Sequence, residues 1–232
     1  MRQLSSSAQD VLKYIYLLRC RTGNATNQAL AEKLNVKPAT ITKMLKRLAR
    51  LGFIIYEPYR GAGFTESGRK VALEVTRHHR LIELYLVRRL GFTWDEVHNE
   101  AERLEHAISE RLEQRIAEDL GDVRTDPHGH PVPTEDGQIH EEKSDILSNH
   151  SVGDRLRIVE VMDNDSDALR HIGSLGIFPM CSVEILDKTP FEGPIRIKVD
   201  SNVRNITPKL ASMIYATKRR GYRMLHGSIA CI

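Results

Sequence analysis

The sequence predicts a mainly α-helical chain with a small β component: an N-terminal winged helix-turn-helix, a helical dimerisation domain and a C-terminal β-barrel. Three observations predict it. The first third reads helix, helix, tight turn, helix, then two short strands around a glycine-rich turn. The middle third keeps a helical apolar period over two long stretches, and the last third alternates apolar and polar residues in short runs.

The elements follow in order. SAQDVLKYIYLLRCRT (residues 7–22) places Val11, Leu12, Ile15, Tyr16, Leu17 and Leu18 at helical spacing, with Ser5, Ser6 and Ser7 as N-cap candidates. GNATNQ breaks that pattern, and NQALAEKL (27–34) forms a short second helix. NVKP is a tight turn whose Pro38 suits the first turn of a third helix, 38–51. Ile41, Leu45 and Leu48 point inward there, Thr40, Thr42, Lys43, Lys46, Arg47 and Arg50 point outward, and Gly52 ends it. FIIYEPYRGAGFTES reads as two strands around Arg60, Gly61 and Gly63. The turn, the basic outward face and the wing together make a winged helix-turn-helix.

One long helix is predicted from Thr65 to about Leu90 and a second from Thr93 to Leu120, the latter with Trp94, Val97, Ala101, Leu104, Ile108 and Leu112 as its stripe. The pair carries more apolar surface than it can cover alone, which predicts dimerisation. Residues 121–151 are polar: the prolines of DPHGHPVP predict an ordered loop, and TEDGQIHEEKSD reads as a linker. RLRIVEV, SVEILDK, IRIKV and SMIYATK read as strands of a small barrel, with a short helix near DALRHIGSLGI. The domain boundaries are therefore 1–73, 74–140, a linker at 141–151, and 152–232.

Composition narrows the function. Charged residues are 28% and hydrophobic residues 41%, as in a globular protein. No apolar run approaches the roughly 20 residues of a membrane span, and MRQLSSSAQD has no apolar stretch of a signal peptide. Cys20, Cys181 and Cys231 are far apart and in no CxxC pair; that argues against a disulfide framework and fits a reducing cytoplasm. Residues 1–73 hold 13 Lys and Arg against 4 Asp and Glu, so this third suits a polyanion, nucleic acid first. Residues 74–151 reverse the balance, 9 against 18, and hold eight of the ten histidines, a metal-binding composition. No GxSxG, P-loop or dinucleotide fingerprint occurs, so neither an enzyme nor an organic cofactor is expected.

Residues 97–106, VHNEAERLEH, concentrate the chemistry. His98, Glu102, Glu105 and His106 share a helix face, and Glu100 does not. On the preceding helix His79 and Glu83 are again four apart. An isolated HxxxE pair is ordinarily a solvated face. Two on consecutive helices, with an ExxEH cluster, suit Mn2+ or Fe2+, and the lack of thiolate disfavours structural zinc. A di-iron carboxylate enzyme would require ExxH motifs on two separate helices; ExxEH occurs once and no matching ExxH is present.

The stretches LKYIYLL, VKPATITKMLKRLARLGFIIYEPYRGAGFTESGRK, RHHRLIELYL, VHNEAERLEH and DPHGHPVP resemble, in order and spacing, the diphtheria toxin repressor, iron-dependent regulator and manganese transport regulator family. The resemblance spans nearly the whole chain, including an SH3-like (FeoA-type) barrel. It implies a homodimeric, metal-activated repressor that binds palindromic operator DNA, with metal-uptake genes as targets. It implies a primary metal site of Asp10, Glu102, Glu105 and His106. Iron-responsive members have a cysteine at the position of Glu102 and a methionine at that of Asp10, so this chain resembles the manganese branch, with Fe2+ as the alternative. The short bacillus-type regulators place a glutamate three residues after the aspartate; here Lys13 stands there. An ancillary site is implied from His79, Glu83, His98, Asp126, His128, Glu160 and Asp163, with Glu83, Asp126, His128 and Asp163 favoured. His130, His140 and His150 are expected at the surface. For DNA, the resemblance implies Pro38, Ala39, Thr40, Thr42 and Lys43 near base edges, Lys43 as a donor to guanine, and Arg47, Arg50 and the wing's Arg60 at phosphates.

Overall fold

A computed structural model describes residues 4–57 and 61–218. Arg60 and Cys231, singled out above, lie outside the described residues. The chain divides into two compact units, residues 1–141 and 142–232.

The first unit is built on α1 (Ser6–Thr22), α2 (Asn27–Lys33), α3 (Pro38–Arg50), the antiparallel β1 (Ile54–Glu57) and β2 (Gly61–Phe64), and α4 (Glu66–Leu90). Val11, Leu12, Ile15, Leu30, Ile41, Leu45, Leu48 and Ala72 close one core beneath the reader. Pro38 opens α3 at a position that lacks an internal donor bond anyway. Thr65 caps α4, its side chain accepting from the Gly68 amide at 3.2 Å. Gly68 is required by close approach: a Cβ there would lie 1.8 Å from the Phe53 carbonyl oxygen, so the helix start crosses directly over the wing strand.

Helix α4 is the spine of this unit. Its N-terminal half packs along α1. Farther on, Ile82 and Leu86 meet Val97 and Ala101, while Leu81 and Leu84 meet Ile116, Leu120 and Val132. The expected single helix from Thr93 to Leu120 is two, α5 (Val97–Leu104) and α6 (Glu110–Leu120). The break has a local cause. The Ala107 amide turns back to the Leu104 carbonyl (2.8 Å), and Ser109 caps the next helix by accepting from the Leu112 amide (3.3 Å). The predicted stripe splits with it: Val97 and Ala101 are buried, Leu104 and Leu112 exposed. Glu105 and His106 thus stand in a turn at the end of α5.

The second unit is a six-stranded antiparallel sheet in the order β3-β8-β4-β5-β6-β7, matching the expected SH3-like architecture. Its strands are β3 (Asp145–Ile146), β4 (Arg155–Val161), β5 (Ser182–Lys188), β6 (Ile195–Val199), β7 (Asn202–Ile206) and β8 (Ile214–Lys218), with α7 (Ser166–Ser174) after β4 and α8 (Pro208–Ala211) before β8. Alternate residues such as Leu156, Ile158, Ile195 and Ile197 are buried, as are Leu169 and Ile172 of α7. Residues 145–149, read as linker, instead form β3, paired with β8, and a 3-10 turn. No helix among the described residues is long and apolar enough to cross a membrane.

Candidate metal centre and reading surface

Three elements converge on the primary cluster. Asp10 comes from α1, Glu102 from α5, and Glu105 and His106 from the turn after it. His106 Nε2 lies 2.7 Å from Asp10 Oδ1 and 3.3 Å from Glu105 Oε1, and its Nδ1 lies 2.7 Å from Gln9 Oε1. The bond to Asp10 raises the His106 pKa above its usual value despite partial burial. The turn itself is pinned from α4: His78 Nδ1 lies 3.2 Å from the Glu105 carbonyl oxygen.

The fourth primary residue is engaged elsewhere. Glu102 Oε1 accepts from Lys13 Nζ at 2.9 Å and from the Tyr14 hydroxyl at 2.8 Å. Lys13 is buried and also reaches both oxygens of Glu105, at 2.6 and 2.9 Å. Burial alone would raise the Glu102 pKa; Lys13 and Tyr14 outweigh it and hold the carboxyl at about 2. Glu105 is likewise held low against burial by His79 and Lys13. The structure therefore brings Asp10, Glu105 and His106 together, and separately Glu102, Glu105 and His79.

His79 joins this cluster to the ancillary one. Its Nδ1 sits 2.6 Å from Glu105 Oε2, and its Nε2 sits 3.0 Å from Glu83 Oε1 and 3.2 Å from His98 Nδ1. His98 Nδ1 is 3.2 Å from the same Glu83 oxygen. Burial works against a charge on His79, but the two carboxylates raise its pKa all the same. Glu83 is fully buried, and His128 Nδ1 faces its Oε2 at 3.7 Å. That Oε2 accepts no hydrogen bond among the described residues. A buried carboxylate oxygen left this way beside imidazole nitrogens is an environment a cation would satisfy. Both clusters offer only oxygen and nitrogen, so the residues fit a hard or borderline divalent ion.

Asp126 and His128 also make bonds of their own. Asp126 is used by its own loop: Oδ1 accepts from the His128 and His130 amides at 2.8 and 3.0 Å, and Oδ2 lies 3.0 Å from His130 Nδ1. His128 Nε2 lies 2.7 Å from the Trp94 carbonyl oxygen, and its ring stacks on Trp94. Glu160 stands at a bulge of β4 opposite Tyr215, and Asp163 lies just past that strand, both in the second unit. Contrary to expectation, His130 is buried, because Asp126 and the bridge from Thr125 to Pro131 fold the loop inward. His150 is half-buried, and His140 is exposed as expected.

On the reading helix Pro38, Ala39, Thr40, Lys43, Arg47 and Arg50 are exposed. Thr42 is half-buried; its hydroxyl donates to the Pro38 carbonyl (3.1 Å) and accepts from Asn27 Nδ2 (2.8 Å), which leaves one lone pair for any base. No motif points to Gln9 or Tyr14, and Lys13 stands out in the sequence only as the residue at the position of the bacillus-type glutamate. The available signal was Lys13 itself, a charge within the buried stripe of α1 beside Leu12 and Ile15.

Comparisons with known proteins cover the same ground. Residues 3–62 match the iron dependent repressor N-terminal DNA binding domain, residues 65–134 the iron dependent repressor metal binding and dimerisation domain, and residues 146–218 the FeoA domain. The iron-dependent repressor IdeR of Mycobacterium tuberculosis is 31% identical over 205 residues, covering 83% of this chain and 89% of the relative. The HTH-type transcriptional regulator MntR of Lysinibacillus sphaericus is 36% identical over 112 residues, 48% of this chain and 80% of the relative. Among solved structures, a manganese-dependent transcriptional repressor in complex with manganese superposes with a TM-score of 0.86 at 35% identity, covering 91% of this chain and all of that one. The chain belongs to the iron-dependent (diphtheria toxin) repressor family, a non-enzymatic family of metal-dependent transcriptional repressors.

Proposed function

We propose that this protein is a homodimeric repressor that binds palindromic operator DNA when loaded with Mn2+ and controls metal-uptake genes. The convergence of Asp10 on α1 with Glu105 and His106 after α5 carries the reading. It joins the DNA-reading half of the unit to the half that matches the dimerisation domain, through groups that would hold a divalent ion. The all oxygen-and-nitrogen donor set supports Mn2+; likeness to iron-dependent relatives keeps Fe2+ as the second reading.

The proposed primary ligands are Asp10, Glu105, His106 and Glu102; the proposed ancillary ligands are Glu83, His79, His98 and His128, with Asp126, Glu160 and Asp163 as further candidates. A bound ion supplies positive charge to the carboxylates and a link between α1 and the turn. The residues do the rest. His78 holds the Glu105 backbone, Gln9 orients the His106 ring, and α1 passes its position to α3 through the shared core of Leu12, Ile15, Ile41 and Leu45. In a dimer, that fixes the separation of two recognition helices on the two half-sites. Exposed Leu90, Leu104 and Leu112 support a dimer face on the helical half. Lys43 is proposed to read guanine, and Arg47, Arg50 and Arg60 to contact phosphates.

A gel shift tests the reading. Duplexes selected from a random pool by the Mn2+-loaded protein are expected to shift with Mn2+ and not with a chelator. Asp10→Ala protein that still responds to the metal contradicts it.

A further inference from the structure

Lys13 is the one lysine of α1, and it lies on the buried side of that helix. Its Nζ is 2.6 and 2.9 Å from the two oxygens of Glu105 and 2.9 Å from Glu102 Oε1. The Tyr14 ring centroid is 5.1 Å away. An ammonium with two carboxylates on one side and an aromatic face on another is held as a bound ion would be.

The acidic cluster offers two sets of converging ligand atoms. One is Asp10, Glu105 and His106; the other is His79, Glu102 and Glu105; within each, the atoms lie within 4.8 Å of one another. Glu105 belongs to both. Lys13 Nζ contacts both carboxylates of the second set and neither Asp10 nor the His106 ring within hydrogen-bond distance. A metal ion in the second position would need the oxygens that the ammonium already holds. Charge agrees with this division. Asp10, Glu102 and Glu105 are neutralised by one ammonium and one divalent ion, whereas a second divalent ion would leave a buried excess of positive charge.

We propose that the Lys13 ammonium is the resident cation of the second position, so the cluster around Glu105 accepts one divalent ion and not two. Lys13 thereby also fastens α1 to the turn after α5 when no ion is present. This inference rests on the metal reading above and specifies its stoichiometry.

The test counts ions on the full-length protein by native mass spectrometry and follows Mn2+ by electron paramagnetic resonance. Wild type and Lys13→Arg are expected to bind the same number per chain, with an uncoupled signal. Lys13→Glu restores charge balance for two divalent ions. It is expected to bind one ion more, with the exchange-coupled spectrum of a carboxylate-bridged pair. Lys13→Gln removes the ammonium without adding a ligand and is expected to bind its first ion at least tenfold tighter, which keeps the test available if Lys13→Glu does not fold. A coupled pair in wild type overturns the proposal, and so do wild-type counts, signal and affinity in both the Glu and Gln variants. Failure of the metal reading itself has a different signature: Asp10→Ala would leave the wild-type Mn2+ count unchanged, and both proposals would fall.

Discussion

The two sides of Glu105 are neutralised in different ways. On one side a lysine, covalently part of α1, holds Glu105 and one oxygen of Glu102, Oε1. On the other, Asp10 and His106 converge on the same carboxylate with no cationic side chain of the first kind among them. Under the proposed metal reading, the difference separates a structural cation from an exchangeable one. Metal-less carboxylates alone would repel and let α1 drift; in the proposed account a tethered ammonium already fastens α1, and a metal ion would organise chiefly the Asp10 and His106 side. Exposure alone does not separate the two sides, since the Asp10, His106 and Glu102 side chains are 28%, 14% and 36% exposed; what is buried is the Lys13 side chain itself, at 3%, and the shared Glu105, at 1%.

The comparison can be broken at several places. The largest effect is expected on the exchangeable side. Asp10→Ala or His106→Ala is expected to remove the metal response of DNA binding, about 100-fold, equivalent to about 3 kcal/mol of coupling; fluorescence anisotropy with and without Mn2+ measures it. Lys13→Gln, on the lysine side, leaves Glu105 buried without its cation and is expected to lower the stability of the metal-free protein by about 3 kcal/mol in urea unfolding, while Mn2+ recovers part of the loss. An unchanged midpoint would show that the pair contributes nothing.

The pH dependence of that difference has a definite sign. Glu102 and Glu105 have pKa values below the ordinary 4.5, Glu102 at about 2, so their contribution is full above about pH 4.5 and is lost as pH falls toward 2. The Lys13 pKa is raised above 10.5, so its contribution stays present until the solution is more alkaline than that. The stability gap between wild type and Lys13→Gln is therefore expected to be flat from pH 4.5 to 10.5 and to shrink below it; a gap that grows on acidification would contradict the pairing. Next in size, Glu102→Cys puts a soft ligand in place of a hard one and is expected to shift preference toward Fe2+ or Co2+ by about tenfold, read by calorimetry with each metal. Smallest, Arg47→Ala and Arg50→Ala are each expected to lower the slope of log affinity against log salt by about one, with little change in sequence preference.

Much of this was written in the sequence, and what was not has physical reasons. RLRIVEV, SVEILDK and IRIKV coincide with β4, β5 and β6 because alternation marks a half-buried strand. NVRNI, which forms β7, escaped because only Val203 and Ile206 are apolar and Val203 is exposed. The break between α5 and α6 was hidden by a stripe that stays in phase across it, although Ser109 carried the cap signal. Glu105 and His106 were legible in the ExxEH spacing, whereas Asp10, roughly ninety residues upstream, entered only through the family resemblance, and the fold sets it beside His106. Lys13 was legible only as a departure from the bacillus-type glutamate, not as the partner of Glu102 and Glu105. Its role depends on two carboxylates roughly ninety residues downstream, which no local pattern encodes. His130 lies buried for a different, local reason: Asp126, four residues before it, draws it inward within a folded loop.

The most direct measurement of the central claim is operator affinity titrated against free Mn2+ for wild type and Asp10→Ala side by side. The account predicts a steep Mn2+-dependent rise for wild type, about 100-fold, and a flat, weak curve for the variant. Parallel curves, with the same rise at the same metal concentration, would contradict it.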